Sequence, residues 1–345
     1  MNVKQVINNI EKYRERKQKN YLNCIPAPFE RLSYSYPGVE PGKYYLVTAN
    51  AKVGKSQISD YMFVLHPVDY ILNNSSNYDI EVLYFSLEMS RNSKMLQFIS
   101  HFLFTKYNIK IDTKGLRSLK EELPEVILNR VKELEPYLEK VFSKIHIYDQ
   151  YRTRKEIVNK IFQYAEKNGE IVRNTDGNIV NYIPKNPEKI TIIFVDHISL
   201  LMSDNLLKEI NQFSANDMIF FRNIFNFTPV IIQQQASSQE SVENKKFDAL
   251  MPSLSGLADN KTTQRDADYV FGLFSPHRHH IKNLHGYDIE KFKDRFRSLE
   301  ILANREGNVE GICPLYFQGE SIYFEELPKP SDTKSLSSVY IRHNL

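Results

Sequence analysis

The chain contains no tryptophan and only two cysteines, Cys24 and Cys313, among its 345 residues. Two isolated thiols cannot build a zinc cluster, and they suggest a reducing, cytosolic setting. Long hydrophobic runs are also missing. Nothing approaches the roughly 18 apolar residues that a membrane span needs. The first residues, MNVKQVINNIEKYRERKQKN, carry no apolar signal core, so a cytoplasmic protein with no membrane partner is the expectation. Charge of one sign is scarce too. A net charge of +3 does not by itself diagnose a nucleic-acid binder, although a basic strip can hide inside an overall balance. Neither a repeat nor a low-complexity block is present. At 41% hydrophobic and 25% charged the composition is that of an ordinary globular chain, long enough for one large or two ordinary domains. The 21 tyrosines and 21 phenylalanines read as core rather than as a stacking platform.

The most informative stretch is Val47 to Ser56, Val-Thr-Ala-Asn-Ala-Lys-Val-Gly-Lys-Ser. Lys43 to Val47 before it reads as a buried strand, and Gln57 to Leu65 after it as the start of a helix. Strand, loop, then Gly-Lys-Ser opening a helix is the phosphate-cradling arrangement of a P-loop. The free backbone N–H groups and the dipole at the helix start favour an anion there. The expected cradle is Ala49, Asn50, Ala51, Lys52, Val53, Gly54, Lys55, Ser56 and Gln57. Gly54 permits close approach of the backbone, Lys55 reaches the β- and γ-phosphates, and Ser56 places its hydroxyl on Mg²⁺. One departure is visible: the first glycine of G-x-x-x-x-G-K-[ST] is Ala49.

Taken in order, residues 2 to 19 look helical, with Val3, Val6, Ile7, Ile10 and Tyr13 on one stripe and charge crowding the second half. This arm is either a solvated helix or a stripe that docks on a neighbouring subunit. A connector rich in proline follows, from Cys24 to Gly42. Buried strands are expected at Asp79 to Ser86, Ile145 to Tyr148, Thr191 to Asp196, Pro229 to Ile232 and Ala267 to Leu273. Their continuous apolar runs fit a parallel sheet covered on both faces. Asp176-Gly177 between short apolar runs signals an inserted hairpin across Gly169 to Pro187. Late strands flank Arg305, a further one closes the sheet near Tyr323, and the residues from Pro328 on look loose. Strands alternating with helices give an α/β fold with a central, mostly parallel sheet flanked by helices and a short N-terminal helical arm. The expected division is 1–28 helix and linker, 29–327 ATPase motor with a hairpin inserted at 169–189, and 328–345 tail.

In such sheets ligands bind at the carboxyl ends of the strands. Here those ends carry the P-loop, Glu88, Asp196 and Gln235. The set makes a nucleoside triphosphatase site. Glu88 orients the attacking water, Ser56 and Asp196 hold Mg²⁺, and Gln235 reports on the γ-phosphate. Spacing does not separate Gln233 and Gln234 from Gln235 in that role; strand alternation puts Gln233 and Gln235 on one face and Gln234 on the other. His277, His279, His280 and His285 invite a metal reading, but no cysteine or carboxylate pair accompanies them, and they read as loop histidines.

From about Phe29 to Phe324 the chain resembles the RecA-like motor domain of DnaB-family replicative helicases. The motifs are ANAKVGKS at the P-loop, Phe85-Ser86-Leu87-Glu88-Met89-Ser90, Phe194 to Met202 with Asp196, Pro229 to Gln235, Pro252 to Leu257 followed by Asp266-Ala267-Asp268, and Asn304-Arg305-Glu306-Gly307. The resemblance implies ATP and Mg²⁺ as cofactors and a homo-oligomer, commonly a hexameric ring with sites between neighbours. Arg305 is then the arginine finger, acting in the adjacent subunit. Single-stranded DNA would thread the channel, held by loops near Met202 to Ile210 and Gln239 to Lys261, with Lys245, Lys246 and Lys261 on phosphate. A primase or helicase loader is the implied further partner. The departures are Ala303 in place of a lysine, Arg265 in place of a glutamine, the hairpin insertion, and no acidic-then-basic pair in the Ser255 to Asp259 stretch. Only the arm at 2–19 stands for the family's large N-terminal domain, an arrangement typical of phage or mobile-element motors. The leading expectation is a DNA helicase that unwinds duplex during replication. A RecA-type recombination or repair ATPase, or a regulatory or loader-type ATPase, are the alternatives.

Overall fold

The computed structural model describes residues 3–241, 243–244, 250–258, 262–307, 309 and 311–345. Its frame is a nine-stranded sheet. In chain order the strands are β1 (Tyr45–Ala49), β2 (Asp79–Ser86), β3 (Ile145–Tyr148), β4 (Lys189–Asp196), β5 (Thr228–Gln234), β6 (Tyr269–Phe274), β7 (Phe296–Asn304), β8 (Ile312–Gln318) and β9 (Tyr323–Glu326). Across the sheet they lie in the order β9-β8-β7-β6-β1-β5-β4-β2-β3. The run from β6 to β3 is parallel. The three strands β7, β8 and β9 add to it antiparallel.

Residue chemistry explains the centre. All residues of β1 and β6 are buried, as parallel strands covered on both faces must be. One apolar layer packs Ile58, Met62, Phe63 and Phe98 against the sheet, and the other packs Ile157, Ile161, Phe221 and Phe225. The P-loop helix runs on from Lys55–Asp60 through a π-helical stretch, Tyr61–Leu65, into His66–Asn73. The helix after β2, Arg91–Tyr107, starts where Ser90 accepts from the Ser93 N–H, the cap its sequence predicts.

Helical material stops at Leu116 and, after turns through Pro124, resumes as Glu125–Lys144. Gly169–Arg173 and Ile179–Pro184 pair antiparallel as the expected hairpin, with Gly177 at φ 80° and Asn174 Oδ1 accepting from the N–H groups of Asp176 and Asn178. The arm is the helix Val3–Gln18. Its base is anchored by Arg16, whose Nη1 reaches both Glu188 carboxylate oxygens at 2.7 Å, while Val3, Val6, Ile7, Ile10 and Tyr13 stay exposed.

The C-terminus differs from its expected looseness. Thr333–His343 is a helix capped by Asp332. The His343 ring stacks on Tyr316 with centroids 3.7 Å apart, and its Nε2 lies 2.9 Å from Glu325. Among the described residues no helix is long and apolar enough to cross a membrane.

Candidate nucleotide site

β1 ends at Ala49, and the loop to Lys55 turns through two left-handed residues, Lys52 at φ 60° and Gly54 at φ 97°. Glycine is needed at the second. A Cβ on Gly54 would meet Phe317 Cζ at 3.2 Å and Gln57 Oε1 at 3.3 Å. It is not needed at the position where Ala49 departs from the motif. Ala49 is still a strand residue, paired with Leu273 on one side and Gln234 on the other, and strand backbone accepts any side chain.

The two metal candidates meet. Ser56 Oγ donates to Asp196 Oδ1 at 2.8 Å, and Asp196 is 1% exposed. Lys55 is buried beside them in the same turn. The Leu87 N–H donates to the Asp196 carbonyl at 2.8 Å, so the loop bearing the exposed Glu88 leaves β2 alongside Asp196. Ser86 Oγ donates to the Met89 carbonyl at 2.6 Å and Arg152 Nη1 to the Leu87 carbonyl, closing that loop from both sides. Asn50 is 2% exposed, yet among the described residues its carboxamide has no partner at either Oδ1 or Nδ2. A buried amide without partners at the mouth of a phosphate loop is the kind of group a ligand satisfies. The donor set of Lys55, Ser56, Asp196 and Asn50 therefore fits a magnesium nucleotide.

Gln235 lies 2% exposed and links two segments. Its Nε2 donates to Thr48 Oγ1 at 2.9 Å and to the Ser253 carbonyl at 3.1 Å, and its Oε1 accepts from the Ser253 N–H. Gln233, on the same face, donates to the Ala258 carbonyl and accepts from Thr263 Oγ1. The two glutamines thus fasten the 253–263 loop to the strand beside the P-loop. Thr262 Oγ1 donates to Asn211 Oδ1 at 2.6 Å, which brings that loop against the helix Leu206–Gln212. Lys245, Lys246 and Lys261 lie outside the described residues.

Arg305 stands elsewhere. Tyr269 pairs with Asn304 and with Tyr45, at the end of β1 away from the P-loop. Four strand residues at about 3.3 Å each put the Arg305 turn on the order of 13 Å along the sheet from its own phosphate loop. Its N–H donates to the Asp268 carbonyl, its Nη2 donates to the Arg265 carbonyl, and its Nη1 is 3.7 Å from Asp268 Oδ1. The side chain remains 47% exposed.

Four further charged residues, each absent from the sequence-based set, build the site from behind. Arg297, 2% exposed, donates from Nε to the Val53 carbonyl at 2.7 Å and lies over the Phe317 ring. Burial lowers its pKa to about 10, so it stays charged at neutral pH. Arg278 donates to the Ala51 carbonyl. Lys94 Nζ sits 3.0 Å from Asp60 Oδ2 and 3.6 Å from Asp196 Oδ2, with all three side chains buried. Burial pushes Asp60 up to about 6 against the pull of Lys94. Burial would lower Lys94, but the Asp60 and Asp196 carboxylates outweigh it and hold it above its ordinary value. The signal that could have found Lys94 is its place four residues before Phe98, on the buried face of its helix. His277, His279 and His280 share one turn, where His279 stacks on Phe274 and lies 3.6 Å from Glu240, whereas His285 lies 3.7 Å from Glu300.

A P-loop at the carboxyl end of a central strand, with the buried carboxylate of Asp196 ending the next strand but one of a mostly parallel sheet, defines a RecA-like P-loop nucleoside triphosphatase. The family comparison narrows this. Residues 24–326 match the model of the DnaB-like helicase C terminal domain, and the chain belongs to that family of replicative helicases. No curated protein matches it. Among solved structures it is similar to an ATPase domain at 17% identity and a TM-score of 0.69, over 95% of this chain and 99% of that one. It is also similar to a DnaB-like replicative helicase studied with its interactions with primase, at 18% identity and a TM-score of 0.66, over 95% of this chain and 67% of that one. At these identities the two likenesses speak for the fold.

Proposed function

We propose that the chain is the motor of a ring-forming, ATP-dependent DNA helicase that translocates on single-stranded DNA and unwinds duplex during replication. The observation that carries the reading is the placement of Arg305 at the far end of β1 from its own P-loop. An exposed finger that cannot reach its own site suits one that serves a neighbour's.

In this reading Lys55 and the backbone N–H groups of the loop bind the β- and γ-phosphates, while Ser56 and Asp196 hold Mg²⁺. The ion supplies charge neutralisation at the phosphates. Glu88 orients the attacking water and accepts its proton. Asn50 gives its free amide to the phosphate group. Arg305 of the adjacent subunit stabilises charge on the transferring phosphoryl group, the role of an arginine finger. Gln235, fixed to both Thr48 and Ser253, relays phosphate occupancy to the loop that carries Lys245, Lys246 and Lys261 on DNA. The exposed apolar stripe of Val3–Gln18 docks on the neighbouring motor, and six subunits close the ring. The chain works in the cytoplasm, where a primase or helicase loader is its partner.

The test combines mass and unwinding. With an ATP analogue and single-stranded DNA the protein should sediment as a hexamer, and with ATP and Mg²⁺ it should open a forked duplex. ATP hydrolysis on DNA without strand separation would favour a recombination-type ATPase. Hydrolysis that DNA leaves unchanged would favour a loader-type regulator.

A further inference from the structure

Asp196 is gripped on both oxygens. Ser56 Oγ takes Oδ1 at 2.8 Å from the phosphate-loop side. On the core side, Oδ2 faces Lys94 Nζ at 3.6 Å and Tyr84 Oη at 3.4 Å. Lys94 is itself fixed by Asp60 Oδ2 at 3.0 Å, and Tyr84 Oη donates to Asp60 Oδ1 at 2.7 Å. Asp60 follows Ser56 by four residues on the P-loop helix, so the two share a helix face. Lys94 belongs to the first turn of the helix that follows Glu88, and its N–H donates to the Ser90 carbonyl. One buried ammonium therefore joins the P-loop helix, the magnesium carboxylate and the loop that bears Glu88.

A buried ion pair is a weak source of stability, because desolvating two charges offsets their attraction. Its placement matters more here than its energy. Had Asp60 and Lys94 been apolar, Oδ2 of Asp196 would keep, among the described residues, only the long contact to Tyr84. The carboxylate could then turn away from Ser56. With the pair present, one carboxylate oxygen is held inward and the other is presented to the phosphate loop. Asp60 balances the charge of Lys94, so the site keeps the single negative charge that Asp196 brings.

We propose that Lys94, held by Asp60, is a positioning residue for the metal site. It sets the orientation of the Asp196 carboxylate for Mg²⁺ and ties that orientation to the start of the Glu88 helix. The inference rests on the nucleotide-site reading above. Partners behind a metal-binding carboxylate commonly contribute tenfold or more to metal affinity.

The experiment uses the full chain and binding of a fluorescent ADP, read as a function of Mg²⁺ and again with Mg²⁺ chelated. The variant is the double substitution Asp60→Leu with Lys94→Met, because removing both charges together avoids stranding one of them in the core. The half-saturating Mg²⁺ concentration should rise about tenfold, while affinity for ADP in chelator stays at the wild-type value. A folded double variant with the wild-type Mg²⁺ requirement overturns the proposal. So does an equal loss of ADP affinity with and without Mg²⁺, which would make the pair a general support of the loop. Should the double variant not fold, Asp60→Asn is nearly isosteric. It frees Lys94 to neutralise Asp196, and should raise the Mg²⁺ requirement in the same direction; no rise overturns the proposal equally. Wild-type protein that binds no nucleotide would overturn the site reading itself, an outcome distinct from the others.

Discussion

The Arg297 guanidinium, enclosed beneath Phe317, donates from Nε to the Val53 carbonyl of the phosphate loop at 2.7 Å. Arg297 stands near the start of β7, and Arg305 follows its end. One antiparallel strand thus contacts the chain's own P-loop at one end and carries the proposed finger at the other.

Arg297 also donates from Nη1 to the carbonyls of Asp294 and Phe296. Lysine can keep the charge at this position but cannot fork to three carbonyls. Arg297→Lys should therefore loosen the Val53 turn. Losing one charged hydrogen bond costs about 1.5–3 kcal/mol, so nucleotide affinity should drop by about tenfold or more. Titration with a fluorescent nucleotide, alongside a melting curve, checks this. Unchanged affinity in a destabilised variant would make the Val53 contact a matter of folding alone.

Glu88 leaves β2 beside Asp196 and is exposed. Glu88→Gln keeps size and hydrogen bonding but removes the base. Binding of ATP should persist, since Lys55, Ser56 and Asp196 remain. Turnover should fall by about two to four orders of magnitude, the range for losing a positioned base. Single-turnover hydrolysis at saturating ATP measures it, and a loss confined to affinity would reassign Glu88 to binding.

Much of this site was legible because its motif is local. Strand, Gly-Lys-Ser and helix lie within a few residues of one another, and strand-end carboxylates follow from the parallel sheet. Asp60, Lys94, Arg278 and Arg297 were not legible for the opposite reason. Arg297 meets Val53 across 244 positions, and Lys94 meets Asp60 across 34, so no spacing rule joins them. Asp60 and Arg297 would pass for solvated charges until the fold brings them inside, whereas Arg278 reaches Ala51 from an exposed position. The helix Thr333–His343 escaped because it is short and only Val339 and His343 are buried. Its Asp332 cap and the helical spacing of Leu336, Val339 and Tyr340 were the available signals.

His101 offers a pH test of the fold. The ring is 4% exposed, and its Nδ1–H donates toward the Ser321 and Ile322 carbonyls at 3.1 Å each. Burial pulls its pKa from an ordinary 6.5 down to about 4. The unfolded chain therefore binds this proton first as pH falls, and the fold loses stability between about pH 6.5 and pH 4. From about pH 7 to pH 5 the loss is about 2 kcal/mol for this one group. His101→Asn keeps a donor and removes the titration. Urea unfolding at the two pH values should show a smaller drop for the variant by that amount; equal drops would place the pH dependence elsewhere.

Arg305 tests ring and chemistry together. In the isolated chain it leans on Asp268, which also accepts from Arg222 Nη1 and from the Tyr44 N–H. That arrangement fixes the turn while leaving the guanidinium half exposed. Arg305→Ala should still assemble and bind ATP. Its hydrolysis should fall by roughly 10³–10⁵, the contribution of such fingers elsewhere. Lys55→Ala should be inactive for a different reason, having lost its phosphate contact. Mixing the two is the decisive step. In a mixed ring some interfaces join an intact Lys55 on the Arg305→Ala subunit to an intact Arg305 on the Lys55→Ala neighbour. Those interfaces should recover ATPase activity that neither variant has alone. With subunit exchange demonstrated by labelled chains, an absence of recovery would show that Arg305 does not act across the interface. The ring would then need another finger, or the motor another assembly.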